Sequence, residues 1–400
     1  MNLLYTITAY PPSIGGAQTC FHELARRLAH RHQLRVCAHW AQTRTDWLLG
    51  TTLLAPHEEG AYTLDGVPVH LISLSPAERW EALPLVMGYY AFQGAAITGI
   101  ANKILDHLGQ VAGSPDLIHN GRIGREGLSF ASWRLARNLG VPFVLTPFHH
   151  PWWSGWLHRH YLDLYRQADA LIALTESERE TLIGLGVEPQ RVFVTGMGPV
   201  LAETADAESF RRRHSLQGPI VLFLGQKYRY KGVAALLAAA PAVWARFPDA
   251  AFLFIGPRTR YSRRLFAQHR DRRIVELDAV DLQCKTDALA ASTVLCLPST
   301  QESFGAVFPE AWSMGKPVIG GDSPAVRQVI HDGNDGYVVS QDPAAIAERI
   351  VYLLERPEIR QEMAARGQSK VQARYTWEHL ARQTEAVYEA ILSSAGRHSG

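Results

Sequence analysis

Two glutamates, Glu302 and Glu310, stand eight positions apart in the run L-P-S-T-Q-E-S-F-G-A-V-F-P-E-A-W-S-M-G-K-P-V-I-G-G, residues 297–321. A carboxylate accepts hydrogen bonds strongly, which suits it to sugar hydroxyls and unsuits it to phosphate. Between the two glutamates, Ser303-Phe304-Gly305 closes a polar loop ahead of a helix expected to start near Ala306. The start of such a helix offers free backbone N–H groups and positive dipole charge to an anion. A second run, Gly225-Gln226-Lys227-Tyr228-Arg229-Tyr230-Lys231-Gly232, sets cations between a strand-end glycine and an Ala/Leu helix, again phosphate chemistry. A third candidate is the histidine pair His149-His150, just beyond an apolar run that ends at Thr146.

The elements that must hold these groups follow from the apolar runs. Residues 294–297 read as a buried strand stopped by Pro298, and 318–319 as the strand after the Glu310 helix. Residues 220–224 and 252–255 read as strands that each end in glycine. Near the start, residues 2–7 form a strand that leads into Tyr10-Pro11-Pro12-Ser13-Ile14-Gly15-Gly16-Ala17. Phe21, Leu24, Ala25 and Leu28 then recur at helical spacing before a strand at 34–38. This is a β–loop–α–β unit with glycine where backbone can approach a phosphate. Further strands are expected at 67–71, 141–145, 171–174 and 192–195, and a helix start at Thr175-Glu176-Ser177-Glu178. In open α/β sheets ligands gather at the carboxyl ends of strands, where all three candidate groups fall.

Bulk properties narrow the classes. Four hundred residues exceed one core and imply two or three domains. A hydrophobic content of 47% and a charged content of 20% suit a globular enzyme, and a net charge of +2 offers no case for nucleic-acid binding. The four cysteines, Cys20, Cys37, Cys284 and Cys296, are scattered and fit a reducing compartment. With no secretory pattern at the N-terminus, the expected location is cytoplasmic. Residues 82–102 carry no charge over a membrane-spanning length, yet Pro84, Gly88, Gln93, Gly94 and Gly99 interrupt them, so a buried helix or helix pair lining a domain cleft is expected. No D-x-D motif occurs, and no third ligand accompanies the histidines at a zinc spacing. No metal and no cofactor is expected.

The phrase E-S-F-G-x-x-x-x-E-A-x-x-x-G-x-P-V-I, with its E-x7-E core, resembles the retaining glycosyltransferases of family 4, which have the GT-B fold. Y-P-P-x-x-G-G-A resembles that family's N-terminal loop, whose glycines face the donor diphosphate, here Gly15 and Gly16. Residues 225–232 resemble its G-R-x-x-x-x-K-G phrase, with Lys231 at the lysine. Gln226 stands where the family has arginine; Lys227, being adjacent, is the preferred substitute, and Arg229 the other. Asp116-Leu117-Ile118-His119 resembles the family's D-x-x-H strand on the acceptor side. His149 is the better match to the sugar-lining histidine of P-x-V-x-T-x-H, and His150 is the alternative. At 196–200 a Gly-rich turn remains but the family's Asn and Asp are absent.

The resemblance implies two Rossmann-like β/α/β domains facing each other across a cleft. The acceptor-side domain is expected over 1–197, completed by a terminal helix at 376–400 that crosses back. The donor domain is expected over 198–375. The implied reaction moves a sugar, with retention and without metal, from a UDP- or GDP-linked donor to a saccharide, glycolipid or small-molecule acceptor. Glu302 would grip sugar hydroxyls with the N–H groups of Ser303 to Gly305, including Phe304. Glu310 would accept from the ribose, Lys231 would take up phosphate charge, and His149 would position the sugar. Glu126 reads equally as a site residue and as a surface charge. Trp152, Trp153 and Trp156 read equally as stacking or peripheral membrane contacts and as packing between loop and core. A catalytically silent sugar-nucleotide-binding protein and a sugar-nucleotide epimerase are the alternatives. A dehydrogenase is disfavoured, because no G-x-G-x-x-G follows the first strand.

Overall fold

The computed structural model describes residues 1–13, 15–40, 53, 60–122, 124–149, 153 and 155–396. The chain divides into two compact units, residues 1–196 with 377–400, and residues 197–376. Each boundary lies one residue from the position expected from the sequence.

In the first unit, strands β1 (Asn2–Ala9), β2 (Gln33–Trp40), β3 (Gly60–Leu64), β4 (Val67–Leu71), β5 (Leu117–Gly121), β6 (Phe143–Thr146), β7 (Ala170–Ala173) and β8 (Val192–Val194) make one sheet. Its order is β3-β4-β2-β1-β5-β6-β7-β8, parallel throughout except for the β3–β4 hairpin. β5, β6 and β7 are buried along their whole length, which is why they read as short unbroken runs without alternation. Helices α1 (Gly16–Leu28), α2 (Pro76–Met87), α3 (Gln93–Ala112), α4 (Leu128–Leu139), α5 (Arg159–Gln167) and α6 (Glu176–Gly184) complete the crossovers.

The second unit carries a six-stranded parallel sheet in the order β11-β10-β9-β12-β13-β14. Its strands are β9 (Ile220–Leu224), β10 (Ala251–Ile255), β11 (Ile274–Leu277), β12 (Val294–Leu297), β13 (Val318–Gly321) and β14 (Gly336–Val339). Its helices are α7 (Ala207–Arg213), α8 (Val233–Trp244), α9 (Arg260–Ala267), α10 (Leu282–Ala291), α11 (Val307–Ser313), α12 (Pro324–Val329), α13 (Pro343–Glu355) and α14 (Pro357–Lys370). Strand order reverses between β9 and β12 here, and between β1 and β5 in the first unit. A ligand crevice forms at such a switch point.

The last helix, α15 (Trp377–Gly396), returns to the first unit. Its Tyr388 hydroxyl lies 2.6 Å from the Tyr5 hydroxyl and 2.6 Å from His119 Nδ1, while His119 Nε2 meets Thr146 Oγ1 at 2.8 Å. All four side chains are buried, and burial pushes the His119 imidazole down to about 3. The histidine of the D-x-x-H strand is therefore a neutral core residue that anchors the returning helix.

The uncharged stretch 82–102 is a helix pair, α2 and α3, but it is not wholly buried. Ala82, Ala96, Ile97, Ile100 and Ala101 face the core, whereas Met87 and Phe92 are 76% and 71% exposed. No helix among the described residues is long and apolar enough to cross a membrane.

Candidate functional site

At the switch point of the second unit, the loop after β9 and the loop after β12 are tied together. The Tyr230 carbonyl accepts from Thr300 N at 2.9 Å and from Gln341 Nε2 at 2.7 Å. Gly232 makes the approach feasible: its φ is 82°, and a Cβ there would lie 2.4 Å from the Pro298 carbonyl oxygen. Lys231 is thereby delivered to Glu302, with Nζ 2.6 Å from Oε1; the side chains are only 16% and 8% exposed. An ammonium has three donors, so one on Glu302 leaves two for a ligand.

The second glutamate is likewise paired. Glu310, in the first turn of α11, accepts from Lys285 Nζ of α10 at 2.7 Å. Lys285 lies one turn beyond Asp281, whose side chain caps α10 by accepting from Cys284 N at 2.7 Å. No side chain caps the start of α11. Gly305, at φ 87°, turns the loop into that helix, and its carbonyl takes the Phe308 N–H at 2.9 Å. Phe304 is buried edge-on against Tyr375 with ring centroids 5.2 Å apart, which orients the Ser303–Gly305 backbone.

The expectation that Lys227 supplies the charge missing at Gln226 is not met in this structure. Lys227 is fully buried, and its Nζ donates to Glu276 Oε1 at 3.0 Å and to the Leu277 carbonyl at 2.6 Å. Burial lowers its pKa, partly offset by Glu276. A lysine so engaged ties the loop to β11 and does not reach outward. Arg229 is the exposed cation of this loop, its guanidinium 5.9 Å from the Tyr261 ring centroid.

In the first unit, Gly15 and Gly16 open α1 with no side-chain cap and no acidic residue in the first turn, a setting that suits an anion. His149 follows Phe148, a non-glycine residue at φ 42°, at the carboxyl end of β6. Its backbone N–H donates to Glu178 Oε1 at 2.6 Å, and its Nδ1 lies 3.4 Å from the Tyr165 hydroxyl. Glu178 also takes the Leu174 N–H at 2.7 Å; burial outweighs these bonds and raises its pKa to about 7. His150 and Trp152 fall outside the described residues. Trp153 stacks on His158 at 6.3 Å, and Arg122 lies 4.4 Å from its ring centroid, whereas Trp156 is exposed. Glu126 is neither a surface charge nor open to a ligand. It is buried and accepts from Ser129 N at the start of α4, and burial raises its pKa.

Comparison with known proteins agrees with this architecture. Residues 15–198 match the family described as "Glycosyl transferase 4-like domain", and residues 218–356 match "Glycosyl transferases group 1". The chain belongs to glycosyltransferase family 4. A phosphatidyl-myo-inositol mannosyltransferase of Mycobacterium tuberculosis is 37% identical over 191 residues, 45% of this chain and 50% of that protein. The match thus spans half the length of that curated relative. Among solved structures, a sucrose-phosphate synthase from Thermosynechococcus elongatus superposes with TM-score 0.76 at 18% identity, covering 98% of this chain and 100% of the other. HepE of Anabaena, solved with UDP-glucose, superposes with TM-score 0.73 at 17% identity, covering 97% and 99%. These structures share the GT-B fold, two parallel-sheet α/β domains, with this family 4 chain.

Two further residues not singled out in the sequence, Lys285 and Arg122, lie near these strand ends. Lys285 had a readable signal, a lysine one turn into a helix announced by Asp281. Arg122, directly after β5, had none. It is fully buried, its guanidinium lies 4.3 Å from the Tyr161 ring centroid, and it pairs with Tyr165 Oη and with His158 Nδ1, the latter at 3.3 Å. Among the described residues no group of three or more His, Cys, Asp or Glu could hold a metal ion.

Proposed function

We propose that this protein transfers a sugar, with retention of anomeric configuration and without a metal ion, from a UDP- or GDP-linked donor to a saccharide, glycolipid or small-molecule acceptor. The observation that carries the reading is the pair of lysine–glutamate contacts, Lys231–Glu302 and Lys285–Glu310, at one sheet's switch point. Family membership supports the transferase class. The UDP-glucose bound by HepE supports a uridine donor, and the mycobacterial relative's name supports a lipid-linked acceptor.

Each residue then has a physical task. Leaving-group charge grows on the diphosphate as the glycosidic bond breaks. Lys231 and Arg229, with the uncapped start of α11, stabilise that charge where a divalent ion would otherwise serve. Glu302, held in place by Lys231, accepts from sugar hydroxyls, with the Ser303–Gly305 N–H groups donating beside it. Glu310, held by Lys285, accepts from the ribose hydroxyls. His149, its backbone fixed by Glu178, is the first unit's group for the sugar. Gly15 and Gly16 offer backbone N–H groups to phosphate.

A catalytically silent nucleotide-sugar-binding protein is the second reading, favoured by Gln226 at the arginine position and by the burial of Lys227. Thermal unfolding with UDP, GDP, ADP and their sugar conjugates separates the two, run beside Glu310→Ala and followed by nucleotide release from whichever donor binds. The transferase reading expects a rise in melting temperature with one nucleotide, lost in the variant, and release of that nucleotide from its sugar conjugate. Binding without release points to the silent protein. No rise with any nucleotide refutes both.

A further inference from the structure

The apolar surface left open by the α2–α3 hairpin is not used by the proposed reaction. Trp80, Pro84 and Met87 recur at i, i+4 and i+7 on α2 and are all exposed, and exposed Tyr90, Ala91 and Phe92 continue the stripe around the turn into α3. The turn Trp156–His158 ahead of α5 adds exposed Trp156 and Leu157. The two parts adjoin: a Cβ on Gly94, two residues after Phe92, would lie 3.3 Å from His160 Cε1. Contiguous exposed aromatic and aliphatic side chains of this size mark an interaction surface.

Two cations stand against the rings of this tip. Arg125 stands 5.7 Å from the Tyr90 ring centroid and donates to its hydroxyl at 3.3 Å, and Arg159 stands 5.0 Å from the Trp156 ring centroid. Neither guanidinium meets a carboxylate among the described residues, whereas the nearby acids are occupied, Glu81 by Lys103 and Asp163 by Arg166. Amphipathic rings beside cations match the boundary between headgroups and acyl chains of an anionic bilayer. Arg122 and Arg125 follow β5 and His149 follows β6, and Arg122 and His149 both reach Tyr165, so the tip sits beside the strand ends that carry His149.

We propose that this tip, Met87, Tyr90, Phe92, Trp156 and Leu157 with Arg125 and Arg159, docks the protein on an anionic lipid surface. The inference deepens the lipid-linked-acceptor branch of the proposed function but stands on a separate face of the molecule. The test is co-sedimentation with vesicles of phosphatidylcholine alone and of equimolar phosphatidylcholine and phosphatidylglycerol. The full chain is compared with Phe92→Ser/Trp156→Ser and with Arg125→Gln/Arg159→Gln. All four side chains are solvent-facing or stacked at the surface, and an unchanged melting temperature verifies that each variant folds.

The expected result is binding to the phosphatidylglycerol vesicles that weakens about tenfold or more in the serine variant. In the glutamine variant the preference for phosphatidylglycerol over phosphatidylcholine disappears. The proposal is overturned if the full chain stays in the supernatant, or if both variants sediment like it. It is equally overturned if the tip substitutions dissolve a dimer without any vesicle binding, which would make the occupant a second copy. Nucleotide-induced thermal shifts stay unchanged in both variants, so failure here leaves the transferase reading standing, and failure of that reading leaves the vesicle result standing.

Discussion

Replacing Lys231 with methionine separates a structural ion pair from a catalytic one. The Lys231 and Glu302 side chains are 16% and 8% exposed and touch at 2.6 Å, so the substitution strands a nearly buried carboxylate. Breaking a buried pair from one side costs about 3–5 kcal/mol, and the residual access to water puts this site near the lower figure, about 3 kcal/mol. The double variant Lys231→Met/Glu302→Gln removes the stranded charge and should recover most of that loss in urea unfolding. Turnover should not recover. Loss of a preorganised cation facing the leaving diphosphate costs roughly a hundred- to thousandfold in rate. Both numbers come from one protein preparation, with urea midpoints for stability and nucleotide release from the donor for turnover. If release in the single variant stays within about threefold of the parent while stability falls, Lys231 only holds Glu302, and its proposed phosphate role is wrong.

Four further outcomes follow from the same geometry. Lys285→Met should abolish the nucleotide-induced thermal shift much as Glu310→Ala does, because without Lys285 the Glu310 carboxylate loses the position from which it is proposed to accept from the ribose hydroxyls; a retained shift would separate that pair from the nucleotide. Arg229→Gln should weaken donor binding about tenfold, whereas Lys227→Met should lower the urea midpoint without a specific loss of donor affinity. Tyr388→Phe strands the buried Tyr5 hydroxyl and His119 Nδ1, and should cost about 2–3 kcal/mol in urea unfolding. Acidification should also destabilise the fold. Burial holds His39 at about 4 and His119 at about 3, below their ordinary value near 6.5, so the stability they contribute is complete above that value and falls as pH drops. Glu178, raised to about 7, acts oppositely, stabilising as pH falls from 7 toward 4.5. His158, lowered to about 4 chiefly by burial, adds to the two histidines, so stability falls on balance between pH 6.5 and 4.5, read as urea midpoints. Glu178→Gln should steepen that loss.

Legibility in the sequence tracked how local the determining physics is. The fold was readable because parallel strands buried on both faces are unbroken apolar runs, several of them ended by a glycine or proline, as at Gly225, Gly256 and Pro298. Glu302 and Glu310 were readable because their spacing and their flanking Phe304-Gly305 and Gly315-Lys316-Pro317 lie within one strand–loop–helix–strand unit. The pairing of each glutamate with a lysine was not, since Lys231 and Lys285 come from 71 and 25 residues away. Lys227 misled because adjacency in sequence says nothing of side-chain direction, and Glu276 on β11, the strand beyond β10, claims it. Glu126 misled in the same way, being turned inward to Ser129. The charge-free stretch 82–102 read as buried because composition cannot tell a core-facing side of a helix pair from a solvent-facing one when both are apolar.

The proposed reaction is transfer from a nucleotide-linked sugar with retention at the Lys231–Glu302 site. Proton NMR tests it most directly, following an α-linked donor of the nucleotide that shifts the melting temperature, with water as the slow acceptor. The donor's anomeric doublet should decay, the α-sugar should appear first, before mutarotation supplies the β form, and Lys231→Met should abolish the decay. A β-sugar appearing first, or equal decay in the variant, would contradict it.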